Sequence, residues 1–274
     1  MTTERSSIGE AYLLRIVNAM PLLARYSRNR GGAFIISWCH RLSGLLLVSF
    51  LWFHIYTLSS LSTPGSYESK MALYKVPILT FLEWALAVPV LFHALNGGRL
   101  ILYESFRFRR DDVLLNWVAG LTLLYAVLLG ALMFMGNQSV SPLFFWLAAL
   151  SVGVALAYGL YGRIRLTSHK PTWKLQRLTA AFLLVLVPAH FLFMHLNPQV
   201  AKEAQEVVLR MQSPWIKLVD ALLVLSALYH GGYGLVSLLQ DYTASKRVRA
   251  AGIAAVVLVM AIAAWAGLKL LLWV

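Results

Sequence analysis

Seven apolar segments dominate this 274-residue chain and restrict its fold more than any other feature. Each is roughly 20 residues or longer, the length that an α-helix needs to cross a bilayer. Inside lipid every backbone polar group must be paired within the segment, so such stretches fold as helices. The sequence therefore predicts an all-α, polytopic transmembrane helix bundle, with helices over residues 34–61, 78–103, 114–136, 143–162, 176–197, 215–240 and 250–273.

The loops between these segments divide the charged residues unequally. The net charge is +13, and most basic residues fall in loops on one side: Arg25, Arg28, Arg30, Arg107, Arg109, Arg110, Arg163, Arg165, Lys170, Lys174, Lys246, Arg247 and Arg249. The basic residues of the opposite loops are four: Lys70, Lys75, Lys202 and Arg210. Because basic loops stay in the cytoplasm, we expect a multi-pass protein of the cell membrane with a cytoplasmic N-terminus and an external C-terminus. The positive charge then indicates topology and contact with membrane lipids, not nucleic-acid binding.

Two short patterns each occur twice in the chain. Arg-Leu-Ser/Thr followed by an apolar run to a histidine appears at Arg41 to His54 and at Arg177 to His190. A histidine with glycine four residues later and an acid eleven residues later appears at His93, Gly97, Glu104 and at His230, Gly234, Asp241. The two copies of the first pattern are 136 residues apart, and those of the second are 137 residues apart. Such a nearly constant offset indicates an internal repeat. Both copies begin on the basic side, so the predicted repeats are parallel.

The parallel repeat accounts for the odd number of segments. A unit of three helices ends on the side opposite to its start, so a second parallel unit needs one additional crossing. We therefore predict an N-terminal cytoplasmic or interfacial segment at 1–33, a three-helix repeat at 34–136, a linker helix at 137–169 and a second three-helix repeat at 170–274.

The four repeated histidines are expected at two depths. His93 and His230 each lie 11 residues from the acid at the basic end, about 16 Å along a helix. His54 and His190 each lie 13 residues beyond an arginine, which places them roughly 10 Å farther from the basic side. Two facing histidines at each of two depths are typical of a bundle that holds two haems by bis-imidazole ligation. Hydrogen bonding inside the bundle, or a proton path, is the alternative for any single histidine.

The sequence leaves more than one role for several polar residues of the apolar segments. A zinc site is less favoured because the chain has one cysteine and the histidine pairs are far apart. His195 is an alternative to His190 as a ligand. Arg41 and Arg177 are expected to pair with haem propionates, a quinone carbonyl or lipid phosphate. Glu83 is either interfacial or a proton or quinone group at the outer side.

The chain resembles the membrane anchor of succinate dehydrogenase and fumarate reductase (respiratory complex II), as a fused, dihaem member. Residues 37–44 resemble the Ser-x-x-His-Arg-x-Ser-Gly signature of that family's first anchor subunit. His93 with Gly97, Arg99 and Glu104 resembles its haem-ligating second helix. Residues 175–179 resemble the start of the second anchor subunit, and His230, Gly234, Asp241 and Tyr242 resemble its haem-ligand helix. The resemblance covers residues 34–110 and 170–274.

The resemblance implies specific roles for these residues. It implies haem b ligation by His93 with His230 and by His54 with His190. It implies a quinone site formed by Ser37, Arg41, Asp241 and Tyr242, and it places His40, Arg41 and Arg177 near haem propionates. The implied partners are an iron–sulfur subunit and, through it, a flavoprotein subunit, because this sequence contains no flavin-binding fold and no cluster ligands.

The predicted function is electron transfer from the iron–sulfur subunit to membrane quinone, in the respiratory chain and the tricarboxylic acid cycle. The chain would act as the quinone-reacting subunit and would have no activity on dicarboxylates by itself. Succinate oxidation and fumarate reduction both fit these residues, as do ubiquinone and menaquinone. Two alternatives stay open: a b561-like dihaem transmembrane cytochrome, and a non-redox, proton-coupled transporter.

Overall fold

The computed structural model describes residues 21–63, 65–74, 76–136, 138–196 and 202–273, with residues 21–31 described by their backbone alone. The described chain is helical, with no strand in these ranges. Its helices are α1 (Pro21–Ser59), α2 (Ser66–Tyr74), α3 (Pro77–Ala85), α4 (Ala87–Phe106), α5 (Asp111–Met135), α6 (Pro142–Ile164), α7 (Pro171–Leu196), α8 (Ala204–Met211), α9 (Pro214–Tyr242) and α10 (Lys246–Trp273).

Seven of these helical stretches are long and apolar enough to cross a membrane, so the predicted fold class is confirmed. They are α1, α3 with α4, α5, α6, α7, α9 and α10. Their outward-facing side chains are large and apolar, as contact with lipid requires; Phe134 is 94% exposed and Leu272 is 85% exposed. The protein is therefore a multi-pass membrane protein.

The second predicted segment is two helices, because its helix is interrupted at Leu86. Pro89 has no N–H to donate to the carbonyl of Ala85, so the regular hydrogen-bond ladder is broken one turn before it. Near this break, Trp84 links α3 to α5: its indole Nε1 donates a hydrogen bond to the carbonyl oxygen of Ala126 at 2.9 Å. The ring also lies against Gly130, where an added Cβ would approach Trp84 Nε1 to 2.8 Å.

The first helix is longer than predicted. It begins at Pro21 rather than near residue 34, so the C-terminal part of the predicted 1–33 segment is continuous with the membrane helix. Residues 1–20 lie outside the described residues. Lys75, one of the charges used to assign the sides, also lies outside them.

Four helices form the centre of the bundle. The contacts run from α1 to α4, from α4 to α7, from α7 to α9, and from α9 back to α1. The remaining spans lie outside this ring: α5 packs on α4 and α7, α10 packs on α9 and α1, and α6 packs mainly on α7. The third helix of each predicted half therefore contacts the second helix of its own half and the first helix of the other half. All four histidines of the predicted haem pairs lie on the central helices.

The two ends of the bundle differ. One end, called here the basic end, carries the arginine- and lysine-rich loops that follow α4, α6 and α9. The opposite end is covered by α2 and α8, two short helices that the hydropathy pattern did not predict. These helices pack together through a buried cluster that contains Leu61, Tyr67, Val207, Met211, Leu270 and Leu271.

Candidate functional site

The histidine pair nearer the basic end is formed by α4 and α9. The ring centroids of His93 and His230 are 6.1 Å apart, and the rings are nearly perpendicular at 89°. Metal–imidazole bonds are about 2 Å long, so two rings that ligate one ion from opposite sides have centroids roughly 6 Å apart. The spacing of this pair thus fits two histidines that would ligate one metal ion.

The second ring nitrogen of His93 is held by the signature segment on α1. His93 Nδ1 lies 3.1 Å from the backbone oxygen of His40 and 3.3 Å from Ser43 Oγ. The Ser43 hydroxyl in turn donates to the same His40 oxygen at 2.9 Å. A metal-ligating histidine commonly donates its other N–H to a backbone carbonyl, which fixes the tautomer and the ring orientation. His93 has this support and can present Nε2 to a metal.

His40 packs directly on the same ring. The centroids of His40 and His93 are 4.1 Å apart and the rings are parallel within 2°. On the α1 side, an added Cβ at Gly44 would approach His93 Cε1 to 2.9 Å, closer than side chains tolerate. The glycine of the signature is thus required for the approach of His93, a role that the sequence analysis did not assign. An added Cβ at Gly234 would meet nothing within 4 Å, whereas one at Gly97 would lie 3.7 Å from His40 Cε1.

The second histidine pair is formed by α1 and α7. The ring centroids of His54 and His190 are 6.0 Å apart at 84°, which closely repeats the geometry of the first pair. Phe50 stacks on His54 at 5.7 Å, and Trp146 of the linker helix α6 lies 6.1 Å from His190. His190 Nδ1 is buried and has no hydrogen-bond partner within the described part of the chain. This pair therefore has the spacing of the first pair, but His190 lacks the hydrogen-bonded support that His93 has.

His195, the alternative to His190, faces a different group. Its Nδ1 is 2.6 Å from the Phe191 carbonyl oxygen, and its Nε2 is 3.2 Å from Glu83 Oε1. The other oxygen of Glu83 is 3.2 Å from Lys202 Nζ. Glu83 thus contacts His195 and accepts a hydrogen bond from Lys202 at the opposite end of the bundle, and His190, not His195, faces His54.

A second carboxylate, which the sequence patterns did not single out, lies at this end. Asp220 follows Glu83 by 137 residues, the offset that separates His93 from His230. Asp220 interacts electrostatically with Arg210 of α8, whose Nη1 lies 3.0 Å from Met194 Sδ. Burial lowers the pKa of the Arg210 guanidinium, and Asp220 opposes that shift. Burial likewise raises the pKa of the neighbouring Tyr67 phenol to about 12. The repeat offset was the signal that identifies Asp220.

At the basic end, three of the predicted quinone-site residues come together with a fourth that was not predicted. Arg41 Nη2 lies 3.6 Å from Asp241 Oδ2, and its guanidinium is 5.5 Å from the Tyr242 ring. Trp38 completes the group at 5.9 Å from the guanidinium and 5.4 Å from Tyr242. Ser37 lies one turn before Arg41 on α1 and is partly buried. Both Asp241 and Tyr242 are exposed, so the group is open to a ligand.

The repeated arginine of the second half forms the corresponding pair. Arg177 Nη2 lies 2.7 Å from Glu104 Oε2, with Nε at 2.9 Å from the same oxygen, and its guanidinium is 5.0 Å from the Trp173 ring. Each repeated arginine therefore binds the repeated acid of the other half. Because Arg177 already binds Glu104, a contact of Arg177 with a haem propionate would share its guanidinium between two carboxylates.

The described residues contain no group of three or more histidine, cysteine or acidic side chains that could hold a metal ion. The histidines form pairs, which is the donor set of an axially ligated haem and not of a tetrahedral zinc site. The residues present therefore fit haem at both pairs, and His93, in the pair nearer the basic end, has hydrogen-bonded support at its other ring nitrogen.

Comparison with known proteins gives a consistent result. The sequence profile of the succinate dehydrogenase/fumarate reductase transmembrane subunit family matches residues 31–132 and 159–268. The succinate dehydrogenase 2 membrane subunit SdhC of Mycobacterium tuberculosis is 39% identical over 97 residues, which are 33% of this chain and 69% of that protein. The succinate dehydrogenase hydrophobic membrane anchor subunit of Archaeoglobus fulgidus is 35% identical over 99 residues, 36% of this chain and 85% of that protein.

No solved structure gives a significant match to the chain. The family profile nevertheless covers most of the sequence, including all four paired histidines and both arginine–acid pairs. The chain belongs to the succinate dehydrogenase/fumarate reductase transmembrane subunit family.

Proposed function

We propose that this chain is the cytochrome b anchor of a succinate:quinone oxidoreductase, which binds two haems b and passes electrons from an iron–sulfur subunit to membrane quinone. The observation that carries the proposal is the pair of matching imidazole contacts, with ring centroids 6.1 Å apart at one depth and 6.0 Å apart at another. A packing role alone gives no reason for this equality. Membership of the family supports the same function.

Each haem would be held by one helix from each predicted half. His93 and His230 would ligate the haem nearer the basic end, and His54 and His190 the second haem. When bound, haem b supplies a one-electron centre whose potential depends on its axial imidazoles, on nearby hydrogen bonds and on burial. The chain contributes the ligand orientation: the His40 carbonyl and the Ser43 hydroxyl hold His93 Nδ1. His40 and Arg177 remain candidates for contacts with propionates.

The group at the basic end is suited to quinone chemistry. Reduction of a quinone takes two electrons and two protons, so the site needs a cation beside one carbonyl and a proton donor beside the ring. Arg41 and Ser37 would bind and polarise the carbonyl. Tyr242 would donate a proton, and Asp241, which lies 3.6 Å from Arg41, would return one to it from water. Trp38 would cover the ring on the α1 side.

The basic end would face the cytoplasm, where it meets the iron–sulfur subunit and, through that subunit, a flavoprotein. The concentration of lysine and arginine in its loops supports this orientation. The chain would then have its N-terminus inside and its C-terminus outside. Two redox centres at different depths would let electrons move along the membrane normal, which would link turnover to the membrane potential.

Haem counting in single-histidine variants tests the proposal. The complex purified with its native partner subunits should contain two b haems per chain by the pyridine haemochromogen assay. His93→Ala or His230→Ala should remove one haem, and so should His54→Ala or His190→Ala. His169→Ala is the matched control, because His169 stacks on Trp173 in a basic loop at 4.0 Å and is exposed.

The result separates the parts of the proposal. A wild-type complex without haem would contradict the cytochrome function as a whole. Retention of both haems in His54→Ala and in His190→Ala would exclude the second pair as ligands. If His195→Ala loses a haem while His190→Ala does not, the axial ligand on α7 is His195.

A further inference from the structure

A cavity of about 460 Å³ opens at the opposite end of the bundle, between α6, α8 and the beginning of α9. Its α6 wall is formed by Leu143, Trp146 and Leu147. That wall belongs to the linker helix, most of which lies outside the two segments matched by the family profile. The cavity is therefore a feature of this chain's own connection between its two halves.

Two opposite charges line the cavity from α8. Glu206 and Arg210 are four residues apart, so both lie on one face of this short helix. Glu206 is exposed to solvent, whereas Arg210 is partly buried and reaches α7, where its Nη1 is 3.0 Å from Met194 Sδ. The positive group thus lies deeper in the protein than the negative group.

The rest of the lining is apolar and follows the membrane-spanning helices. Leu143 and Leu147 are 55% and 46% exposed, although they lie within an apolar span. Trp215 stands at the first turn of α9, at the level where tryptophan is enriched in membrane interfaces. The cavity therefore continues from a charged region at the interface into a groove that lipid chains can occupy.

We propose that this cavity binds one phospholipid that has a phosphate and a distal ammonium group in its head. Arg210 would bind the phosphate, which lies next to the glycerol and the acyl chains, and Glu206 would bind the ammonium, which lies farther out. The acyl chains would pack along Leu143 and Leu147 of α6. The inference does not rest on the proposed function, although Arg210 also acts electrostatically on His54 and His190 of the second pair, so haem content is measured beside lipid retention in each variant.

The separation of the charges favours this ligand over two others. A quinone offers no cationic group to Glu206, so its binding would leave that carboxylate without a complement. An anionic glycerol lipid offers a phosphate to Arg210 and nothing positive to Glu206. Arg210 already interacts with Asp220 of α9, so a phosphate would be a second anionic partner for it, whereas a head with both charges also supplies a cation to Glu206. The bound lipid would also cover Trp146, which contacts His190 at 6.1 Å.

Lipid retention measured by native mass spectrometry tests the proposal. The complete complex would be exchanged into detergent that contains phosphatidylethanolamine, phosphatidylglycerol or ubiquinone. We expect phosphatidylethanolamine to be retained at one molecule per chain. Arg210→Gln should lower its retention about tenfold or more, the loss expected when one charge-assisted hydrogen bond is removed. Glu206→Gln should abolish the preference for phosphatidylethanolamine over phosphatidylglycerol while leaving the phosphate contact.

Two further variants keep the test decisive. Lys202→Gln removes a positive charge from the same loop, but Lys202 binds Glu83 and does not line the cavity, so its retention should equal that of the wild type. Leu147→Trp fills the groove without changing a charge and should lower retention even if Arg210→Gln does not assemble. Equal retention of phosphatidylglycerol, displacement of lipid by ubiquinone, or full retention in Leu147→Trp would overturn the proposal.

Discussion

Gly44 permits the close approach of His93 to α1, because a glycine has no Cβ where the His93 ring lies. His93 is enclosed by the parallel ring of His40 at 4.1 Å on one side and by the α1 backbone at Gly44 on the other. An added Cβ at Gly44 would lie 2.9 Å from His93 Cε1, so the ring would have to shift and its contacts with His40 and Ser43 would change. The orientation of the proposed ligand thus depends on a residue that cannot itself bind a metal.

We predict that Gly44→Val lowers the affinity of the basic-end site for haem by about 10- to 100-fold, the cost of misorienting a metal ligand. The haem content and the low-temperature optical spectrum of the purified complex measure this loss. Gly120→Val is the control, because an added Cβ there meets nothing within 4 Å. If Gly44→Val retains a normal spectrum from both haems, His93 is not held as proposed.

Ser43 is predicted to tune the potential of the same haem. Its hydroxyl lies 3.3 Å from His93 Nδ1, and an acceptor at that nitrogen makes the imidazole a stronger donor to the oxidised iron. Ser43→Ala should raise the midpoint potential, by at most about 60 mV if the relative stability of the two states changes tenfold. Redox titration of the haem absorbance measures this shift. Ser49→Ala removes a hydroxyl that donates to the Leu45 carbonyl of its own helix, so it should leave the potential unchanged.

At the scale of single helices, the linker α6 is fixed to α7 by a glycine contact. An added Cβ at Gly153 would overlap Leu186 Cδ2 and would also lie 3.4 Å from the Phe182 carbonyl oxygen. Leu186 is fully buried, so its side chain has little space into which it could rotate to relieve the contact. Gly159 faces open space on the same helix. Close approach through glycine is a common means of helix association in membranes.

We therefore predict that Gly153→Val destabilises the complex by about 1–3 kcal/mol, the usual cost of overfilling a packed interface. Gly159→Val should have little effect, although both variants add the same atoms to the same helix. Thermal unfolding of the purified complex in one detergent compares the two directly. Equal stability of the two variants would show that α6 is not held by this contact.

The helices show which parts of the fold a hydropathy pattern can predict. The seven spans were predictable because their length and apolar character follow directly from the bilayer thickness. The break at Leu86 was missed because Pro89 lies within a continuous apolar run, and hydropathy does not record a missing N–H. The short helices α2 and α8 were missed because they are not apolar enough to span, and they are stabilised by packing on each other through Tyr67 and Val207.

At the scale of the whole molecule, the candidate site was predictable where the sequence repeats itself. The equal offsets of the histidines, arginines and acids indicated which residues share a depth, and the facing pairs follow from it. The contacts of Arg41 with Asp241 and of Arg177 with Glu104 could not be predicted, because they depend on which helices become neighbours in the ring. The contact of Trp146 with His190 could not be predicted either, because α6 carries no copy of the repeat.

The same ring of helices makes the direction of the whole molecule testable. The proposed electron entry from an iron–sulfur subunit and the proposed quinone binding at Arg41 both require that the basic end faces the cytoplasm and the α2–α8 end faces outward. Cys39 is the only cysteine, so Cys39→Ser gives a background in which single new thiols report position. Ser168 in the loop after α6 and Gln212 after α8 are both exposed, and they lie at opposite ends of the bundle.

We predict that a membrane-impermeant maleimide applied to intact cells labels Gln212→Cys and not Ser168→Cys. Permeabilised cells should give equal labelling of the two, which controls for the reactivity of each thiol. Labelling of Ser168→Cys alone in intact cells would show that the orientation of the protein in the membrane is opposite to the predicted one. The arginine-rich loops would then face outward against the distribution that governs membrane insertion, and a cytoplasmic electron donor could not reach the group at Arg41, Asp241 and Tyr242.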